Sequence, residues 1–285
     1  MINSDLSKFA NKKFGQNFLK DDFYLKQIIQ SMPKDKLKIV EIGPGLGDLT
    51  KELLISSNYV IAFEVDKRLC EHLNSTLESF KNNGCFELRC GDVLDNWENE
   101  SLIDEPYHLV ANLPYYIATH IILKALRDKM CQSILVMVQK EVADKFSAKP
   151  KQKEFSALGV LASVVGEATN CFNVPPTAFV PPPKITSAVL KIIKNSSLND
   201  NNFEEFLKIA FSQPRKKLIK NLSLLEDIKT LENKFEKFGL NLNARPHEVE
   251  TKQYIQLYET LKEIKYERKQ RKERTNEPKS SQKEP

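Results

Sequence analysis

The chain has 285 residues, 41% of them hydrophobic, which is enough for one large domain or for a large domain and a smaller one. Its 43 basic and 38 acidic residues give a formal net charge of +5, a mild excess that is spread unevenly along the chain. The N-terminal residues mix charged and apolar positions, so we expect neither a signal peptide nor a membrane span, and a cytoplasmic protein.

Apolar runs rich in β-branched and aromatic residues alternate with helix-like stretches from residue 37 to about residue 194. The predicted strands are KIVEIG, YVIAFEV, CFELRCGDV, HLVANL, SILVMVQ, CFNV and SAVLKII. Nearly continuous apolar strands between helices are typical of a mostly parallel sheet that is covered on both faces. Residues 1–197 are therefore predicted to form a doubly wound, Rossmann-like α/β domain.

The pattern changes to helical spacing after the polar linker KNSSLNDNN, which predicts a small all-helical domain over residues 198–265. Residues 266–285 lack apolar periodicity and are predicted to be a disordered tail. From Lys265 to Pro285 there are eight basic and four acidic residues. Such a cluster can bind a phosphate backbone or can simply be solvated, and the sequence leaves both readings open.

The cysteines are odd in number and contain no C-x-x-C pair; they are Cys70, Cys85, Cys90, Cys131 and Cys171. No histidine cluster accompanies Cys85 and Cys90, which disfavours a zinc site. We expect reduced and mostly buried thiols, and no metal.

A glycine-rich loop, VEIGPGLGDLT, joins the first predicted strand to a helix. Gly43, Gly45 and Gly47 allow a sharp turn and let a ligand approach the backbone closely. Dinucleotide sites prefer G-x-G-x-x-G spacing, and Asp48 at the helix start would repel a diphosphate. The loop therefore favours a ligand without a diphosphate.

Carboxylates follow the next two predicted strands. Glu64 can accept hydrogen bonds from both ribose hydroxyls, and Asp92 can accept one from the exocyclic amine of adenine. Together with the loop they predict a site for an adenine nucleoside, and S-adenosylmethionine fits it. Taken singly, each of these residues also has a structural explanation. The glycines can serve only to form the turn, Asp48 and Asp66 can be helix caps, and Asp92 can close a loop.

The fourth predicted strand ends in NLPYY at residues 112–116, where no group ionises at neutral pH. The stretch offers hydrogen-bond acceptors, a rigid turn and flat rings.

These motifs together resemble the ribosomal RNA adenine dimethyltransferases, in particular the bacterial small-subunit branch. The resemblance covers nearly the whole chain and is carried by KFGQNFL, EIGPGLGDLT, NLPY, VQKEVADKF, FVPPPKITSAV and FSQPRKKLIKNL. It implies a monomeric enzyme that uses S-adenosylmethionine to dimethylate N6 of two adjacent adenines near the 3′ end of 16S rRNA, within the small ribosomal subunit or its precursor.

The resemblance also implies a cofactor site, whose residues are Asn17, Leu19, Gly43, Gly45, Glu64, Asp92 and Asn112. Asn17 and Leu19 rest on the resemblance alone. The sequence departs from the family at Tyr116, where asparagine is common, so we assign that position no catalytic role and expect its ring to pack. It also departs at Arg215, Lys216 and Lys217, which follow a proline instead of an arginine.

Methylation of an adenine amine is predicted to use acceptors, because the amine lone pair is delocalised and the neutral amine has no acidic proton. The Asn112 oxygen and the carbonyl of Leu113 or Pro114 would accept its N–H groups. Tyr115 would stack on one face of the target adenine and Phe179, beside three prolines, on the other. Phe179 can equally be a core residue. RNA contacts are expected from Lys145, Lys149, Lys151, Lys153, Arg215, Lys216, Lys217, Lys220 and the tail.

Three alternatives remain from the sequence. A 23S rRNA adenine methyltransferase is disfavoured by Pro44, Leu113 and the triple proline. A ribosome-assembly or RNA-binding factor without transfer is disfavoured by the intact NLPY. A nicotinamide-dependent dehydrogenase is disfavoured by the loop spacing.

Overall fold

The computed structural model describes residues 16–57, 59–97, 101–198 and 200–262. The chain divides into two compact units, the first within 1–149 and 158–199 and the second within 150–157 and 200–285. Residues 150–157 therefore group with the second unit, whereas a single boundary near residue 197 assigns them to the first. The tail predicted at 266–285 lies outside the described residues.

A seven-stranded sheet forms the centre of the first unit. Its strands are β2 (Lys38–Ile42), β3 (Val60–Glu64), β4 (Phe86–Cys90), β5 (Tyr107–Asn112), β6 (Cys131–Gln139), β7 (Gly166–Val174) and β9 (Ser187–Lys194), while β1 (Phe18–Leu19) pairs with β8 (Phe179–Val180). The order is β4-β3-β2-β5-β6-β9-β7; the first five strands run parallel, and β9 lies antiparallel between β6 and β7. Every predicted strand corresponds to one of these, and the mostly parallel α/β fold class is confirmed.

Helices connect the strands of this sheet. They are α1 (Asp22–Ser31), α2 (Asp48–Ser56), α3 (Lys67–Thr76), α4 (Glu78–Asn82), α5 (Val93–Asn96), α6 (Ala118–Arg127), α7 (Lys140–Ser147) and α8 (Ala157–Val165). Asp21, Asp66 and Asp92 begin α1, α3 and α5 by accepting a backbone N–H two residues further on. In the described part of the chain, no helix combines the length and apolarity needed to cross a bilayer.

The central strands of the sheet are buried almost throughout their length, whereas the edge strands β4 and β7 are mostly half-buried or exposed. Every residue of β3 is buried, as is every residue of β5 except the last. Leu53 from α2 and Leu73 from α3 pack in one core cluster with Ile39 and Val60. Because helices cover the sheet, the strands read as continuous apolar runs, and polar side chains are left for the strand ends.

The second unit contains helices only among its described residues: α9 (Asn201–Ala210), α10 (Leu218–Leu222), α11 (Ile228–Lys237) and a helical stretch at 251–262. Its core is aromatic, with Phe206 in ring contact with Tyr254 and Tyr258. Phe155 contacts Phe211 at the end of α9, with ring centroids 6.3 Å apart. This contact explains why the segment 150–157 groups with helices that lie far along the sequence.

The cysteines differ from the expectation of reduced and mostly buried thiols. Cys70 in α3 and Cys90 at the end of β4 are joined as a disulfide, with Cα atoms 6.2 Å apart. Cys131 is buried, whereas Cys85 and Cys171 are half-buried free thiols. The prediction was wrong for the Cys70–Cys90 pair because the parallel pairing of β4 with β3 brings the two residues together across 20 positions of sequence.

Candidate active site

A pocket opens at the carboxyl ends of the parallel strands in the first unit. It gathers all the predicted cofactor residues and most of the predicted catalytic ones: Asn17, Leu19, Gly43, Gly45, Glu64, Asp92, Asn112, Leu113, Pro114 and Tyr115. Polar and apolar side chains share its walls, as is usual for a small-molecule site. The strand ends that the sequence predicted to converge do so here.

The glycine loop adopts the left-handed backbone conformation that favours glycine. The φ angles of Gly43, Gly45 and Gly47 are 72°, 62° and 84°. A Cβ atom on Gly45 would lie 3.0 Å from the Phe18 ring, so space as well as conformation requires glycine. The Gly43 N–H donates to the carbonyl of Phe63 in β3 at 2.9 Å, which fixes the start of the loop to the sheet.

Glu64 and Asp92 stand at the ends of neighbouring strands. Glu64 is 3% exposed and accepts the backbone N–H groups of Gly45 at 3.2 Å and Asp66 at 2.9 Å. Burial raises the pKa of Glu64. Asp92 accepts the Leu94 N–H at 2.9 Å through one oxygen. The two carboxylates are therefore oriented by the backbone that surrounds them.

Asp48 does not present an isolated negative charge at the start of α2. Lys20, which follows β1, forms an ion pair with it at 2.6 Å. Both side chains are partly exposed, so this pair contributes little to stability but does place a cation beside the loop. No local pattern predicts this partner, because 28 residues separate Lys20 from Asp48.

Glu41 is a pocket residue that the sequence analysis did not identify. It lies in β2 and is 1% exposed, and its Oε2 atom has no hydrogen-bond partner among the described residues. Burial raises its pKa to about 8, and the negative charges of Glu64 and Asp48 act in the same direction. An acidic residue inside the apolar run KIVEI was the available signal.

The Asn112 amide is held by the N-terminal segment. Its Nδ2 donates to the carbonyl of Asn17 at 3.0 Å, which leaves the amide oxygen as an acceptor. The Pro114 carbonyl accepts the Ile117 N–H at 3.2 Å, whereas no backbone donor in the described ranges reaches the carbonyl of Leu113. Of the two carbonyls that the sequence left open, Leu113 therefore offers the free acceptor.

The two tyrosines of NLPYY lie in different surroundings. The Tyr115 hydroxyl lies 2.6 Å from Ser187 Oγ at the start of β9, and burial raises its pKa. The ring of Tyr115 is thus fixed at its outer edge. Tyr116 lines the same pocket but is 62% exposed, so the expectation that it packs was wrong.

Phe179 does not face the pocket. It is 2% exposed, pairs with Leu19 between β8 and β1, and packs in the core with Val189 and Met137. Phe179 is therefore a core residue, which is the alternative that the sequence left open. Its ring is not exposed for stacking on the target adenine. Strand pairing with the N-terminal segment, which the proline motif does not indicate, accounts for its burial.

The predicted RNA-contacting cations lie on the surface in both units. Lys145 and Lys149 belong to the first unit, where Lys145 pairs with Glu141 at 2.6 Å. The others belong to the second unit and are exposed: Lys151, Lys153, Arg215, Lys216, Lys217 and Lys220.

Two of these cations adjoin one segment of the second unit, residues 241–247. The backbone N–H of Lys151 donates to the carbonyl of His247 at 2.7 Å. The Lys217 ammonium donates to Asn243 Oδ1 at 2.5 Å. The segment 241–247 thus brings together cations from two parts of the sequence.

Comparison with known proteins identifies close relatives. The family model described as ribosomal RNA adenine dimethylase matches residues 7–263. Ribosomal RNA small subunit methyltransferase A of Sulfurimonas denitrificans is 53% identical over 255 residues, covering 90% of this chain and 95% of that protein. The protein of the same name from Campylobacter jejuni is 47% identical over 271 residues, covering 92% and 98%.

Two solved structures have a similar fold. A dimethyladenosine transferase from Plasmodium falciparum has a TM-score of 0.72 at 23% identity, covering 84% of this chain and 95% of that one. The 23S rRNA methyltransferase ErmE has a TM-score of 0.67 at 24% identity, covering 86% and 100%. At these identities the likeness shows the fold alone.

Gly45→Ala is expected to destabilise the protein more than Gly84→Ala. Both glycines have positive φ, 62° and 70°, so each substitution costs about 1 kcal/mol in backbone strain. Only Gly45 adds a clash, because nothing lies within 4 Å of a Cβ on Gly84. Urea denaturation measures the difference, and equal losses in the two variants would contradict the tight approach of Phe18 to the loop.

Glu41→Gln is expected to stabilise the protein increasingly as pH rises. The folded pKa of about 8 lies above the ordinary 4.5, so the folded state keeps a proton that the unfolded state loses. Between pH 4.5 and about pH 8, the free energy of unfolding of the wild type should fall by ~1.4 kcal/mol per pH unit relative to that of the variant. Above about pH 8 the difference between the two proteins should stay constant. Unfolding free energies of both proteins across the window measure this, and parallel pH profiles would refute the assignment.

Proposed function

The chain belongs to the ribosomal RNA adenine dimethylase family, and we propose from this premise that it dimethylates N6 of adenine in 16S rRNA with S-adenosylmethionine as methyl donor. The substrate within this proposal is a pair of adjacent adenines near the 3′ end, in the small ribosomal subunit or its precursor. The observation that carries it is the single pocket in which the glycine loop, Glu64, Asp92 and the NLPYY turn meet. Relatives named for the small-subunit reaction match this chain over most of their length.

The residues of the pocket fit S-adenosylmethionine. The glycine loop contributes backbone to the pocket wall, which a ligand can approach closely, and acidic side chains suit a cationic ligand. In the proposal Glu64 holds the ribose hydroxyls and Asp92 the adenine amine, with Asn17, Leu19 and Asn112 completing the site. The bound molecule supplies an electrophilic methyl group on a sulfonium centre.

The protein acts on the target amine through acceptors. The Asn112 oxygen and the Leu113 carbonyl accept the two N–H groups, which favours the nitrogen as it becomes tetrahedral and cationic. The Asn17 carbonyl keeps the amide turned so that its oxygen is available. Pro114 fixes the turn, and Tyr115, tethered to Ser187, supplies a ring for the flipped base to stack on.

The second unit supplies a cationic surface for the RNA backbone. Lys151 and Lys217 adjoin residues 241–247, and Arg215 and Lys216 immediately precede Lys217. Lysine and arginine gain affinity for phosphates by counterion release, without regard to sequence. Such a surface positions a large RNA, while the pocket selects the base.

The overall proposal is tested by incubating the protein with S-adenosylmethionine and either unmodified 30S particles or naked 23S rRNA. Mass spectrometry of the RNA reports substrate, modified atom and methyl count together. We expect N6,N6-dimethyladenine at two adjacent positions of 16S rRNA. Methylation confined to 23S rRNA, or binding of particles without any transfer, would overturn the proposal in favour of the two rival functions.

Asn112→Ala is expected to lower methyl transfer about 100- to 1000-fold at saturating S-adenosylmethionine, because it removes one acceptor for the developing charge. Binding to 30S particles should stay nearly unchanged, since the cationic surface is intact. Asn74→Ala is the matched control, because Asn74 is an exposed asparagine of α3 outside the pocket. Dimethylation by the Asn112 variant at the wild-type rate would rule out the role of this amide.

The double variant Lys151→Ala/Lys217→Ala is expected to bind 30S particles more weakly and with less dependence on salt. Each lost phosphate contact should reduce the slope of log affinity against log salt concentration by about 1. Filter binding over a range of salt concentrations measures the slope. Lys229→Ala, on an exposed face of α11, controls for lost charge, and an equal effect there would argue against a specific surface.

A further inference from the structure

Tyr116 is the member of NLPYY that the proposed reaction leaves without a role. A side chain with 62% exposure contributes little to the core, so packing does not explain an aromatic residue here. Neither a hydrogen bond nor a ring contact ties Tyr116 to the other residues that the structure describes. Its ring is therefore accessible, and it lies in the wall of the cofactor pocket.

The backbone that carries Tyr116 is fixed. Pro114 and Ile117 close a turn through the hydrogen bond between the Pro114 carbonyl and the Ile117 N–H, with the tyrosines as the two central residues. Tyr115 is tethered through its hydroxyl to Ser187. The start of the Tyr116 side chain is thus held at the pocket wall, although the ring itself remains available to a ligand.

The surroundings of Tyr116 indicate which part of a ligand it meets. Among the large apolar side chains that are exposed in the described ranges, Val65 and Tyr116 are the two that line this pocket. Val65 directly follows Glu64. The pKa of the Tyr116 phenol is raised, first by partial burial and then by the negative charges of Asp92 and Glu64, so the phenol lies on the side of those carboxylates.

We propose that Tyr116 is a cofactor-contacting residue whose ring stacks on the adenine of S-adenosylmethionine. An adenine with its amine at Asp92 and its ribose at Glu64 lies beside the two exposed apolar surfaces, and it covers both of them. Stacking on a flat ring removes apolar area of both partners from water. The inference rests on the proposed function. It gives the two tyrosines different partners, because Tyr115 stacks on the target base and Tyr116 stacks on the adenine of the cofactor.

Calorimetry with two probes tests the inference. S-adenosylhomocysteine is the demethylated product, and 5′-methylthioadenosine contains the adenosine part without the amino acid. Tyr116→Ala should weaken the binding of both by the same factor, about 5- to 100-fold. Tyr116→Phe should bind both like the wild type, because the ring is retained, and Tyr116→Asn should resemble the alanine variant.

Phe23→Ala is the matched control, because Phe23 is an aromatic residue of 60% exposure that does not line the pocket. It should leave binding of both probes unchanged. At saturating S-adenosylmethionine, kcat of Tyr116→Ala should stay within about twofold of the wild type while its KM for this substrate rises, as expected for lost ground-state and transition-state binding alike.

Unchanged probe affinity in Tyr116→Ala would overturn the inference. Loss of 30S binding without loss of probe affinity would do the same, because it would place the ring on the target base. A wild-type protein that binds neither probe and does not methylate 30S particles would remove both this inference and the proposed function. If the wild type binds the probes and methylates 30S particles, and Tyr116→Ala binds the probes with equal affinity, only the inference would be removed.

Discussion

The parallel pairing of β2 with β3 and β5 is the constraint on which the pocket depends. Ile42 at the end of β2 pairs with Phe63, and Glu64 pairs with Cys90 at the end of β4. Asn112 ends β5 on the other side of β2. The carboxyl ends of parallel strands all lie on one side of a sheet. The glycine loop, Glu64, Asp92 and NLPYY therefore meet in one pocket although they are far apart in the sequence.

A polar constellation at another place in the same sheet shows why position matters as much as residue type. Ser133 Oγ lies 2.7 Å from His108 Nδ1, and His108 Nε2 lies 2.8 Å from Asp35 Oδ1. These are the residue types of a nucleophilic triad. Ser133 is only 1% exposed, however, and His108 lies near the start of β5 and not at its carboxyl end. These hydrogen bonds therefore satisfy buried polar groups and do not form a substrate site.

The sequence predicted the features that local rules govern. Buried parallel strands need apolar runs, and the left-handed turns of the loop need glycine, so KIVEIG and GPGLG could be read directly. Phe179, by contrast, is buried by pairing with Leu19, a contact across most of the first unit's sequence. The Lys20–Asp48 ion pair and the grouping of residues 150–157 with the helical unit likewise depend on long-range packing, for which a single sequence carries no local signal.

In the proposed reaction, residue 112 has two hydrogen-bonding partners, and the asparagine amide is suited to both of them. Asn112 donates to the Asn17 carbonyl, and in the proposed reaction its oxygen also accepts from the target amine. An aspartate has the oxygen but no donor, and its charge would face the Asn17 carbonyl and add to the charge of the nearby Glu64 carboxylate. A serine has one donor but is too short to span both partners. The choice of an uncharged amide at the start of NLPYY thus follows, in this proposal, from two simultaneous hydrogen-bonding demands on one side chain.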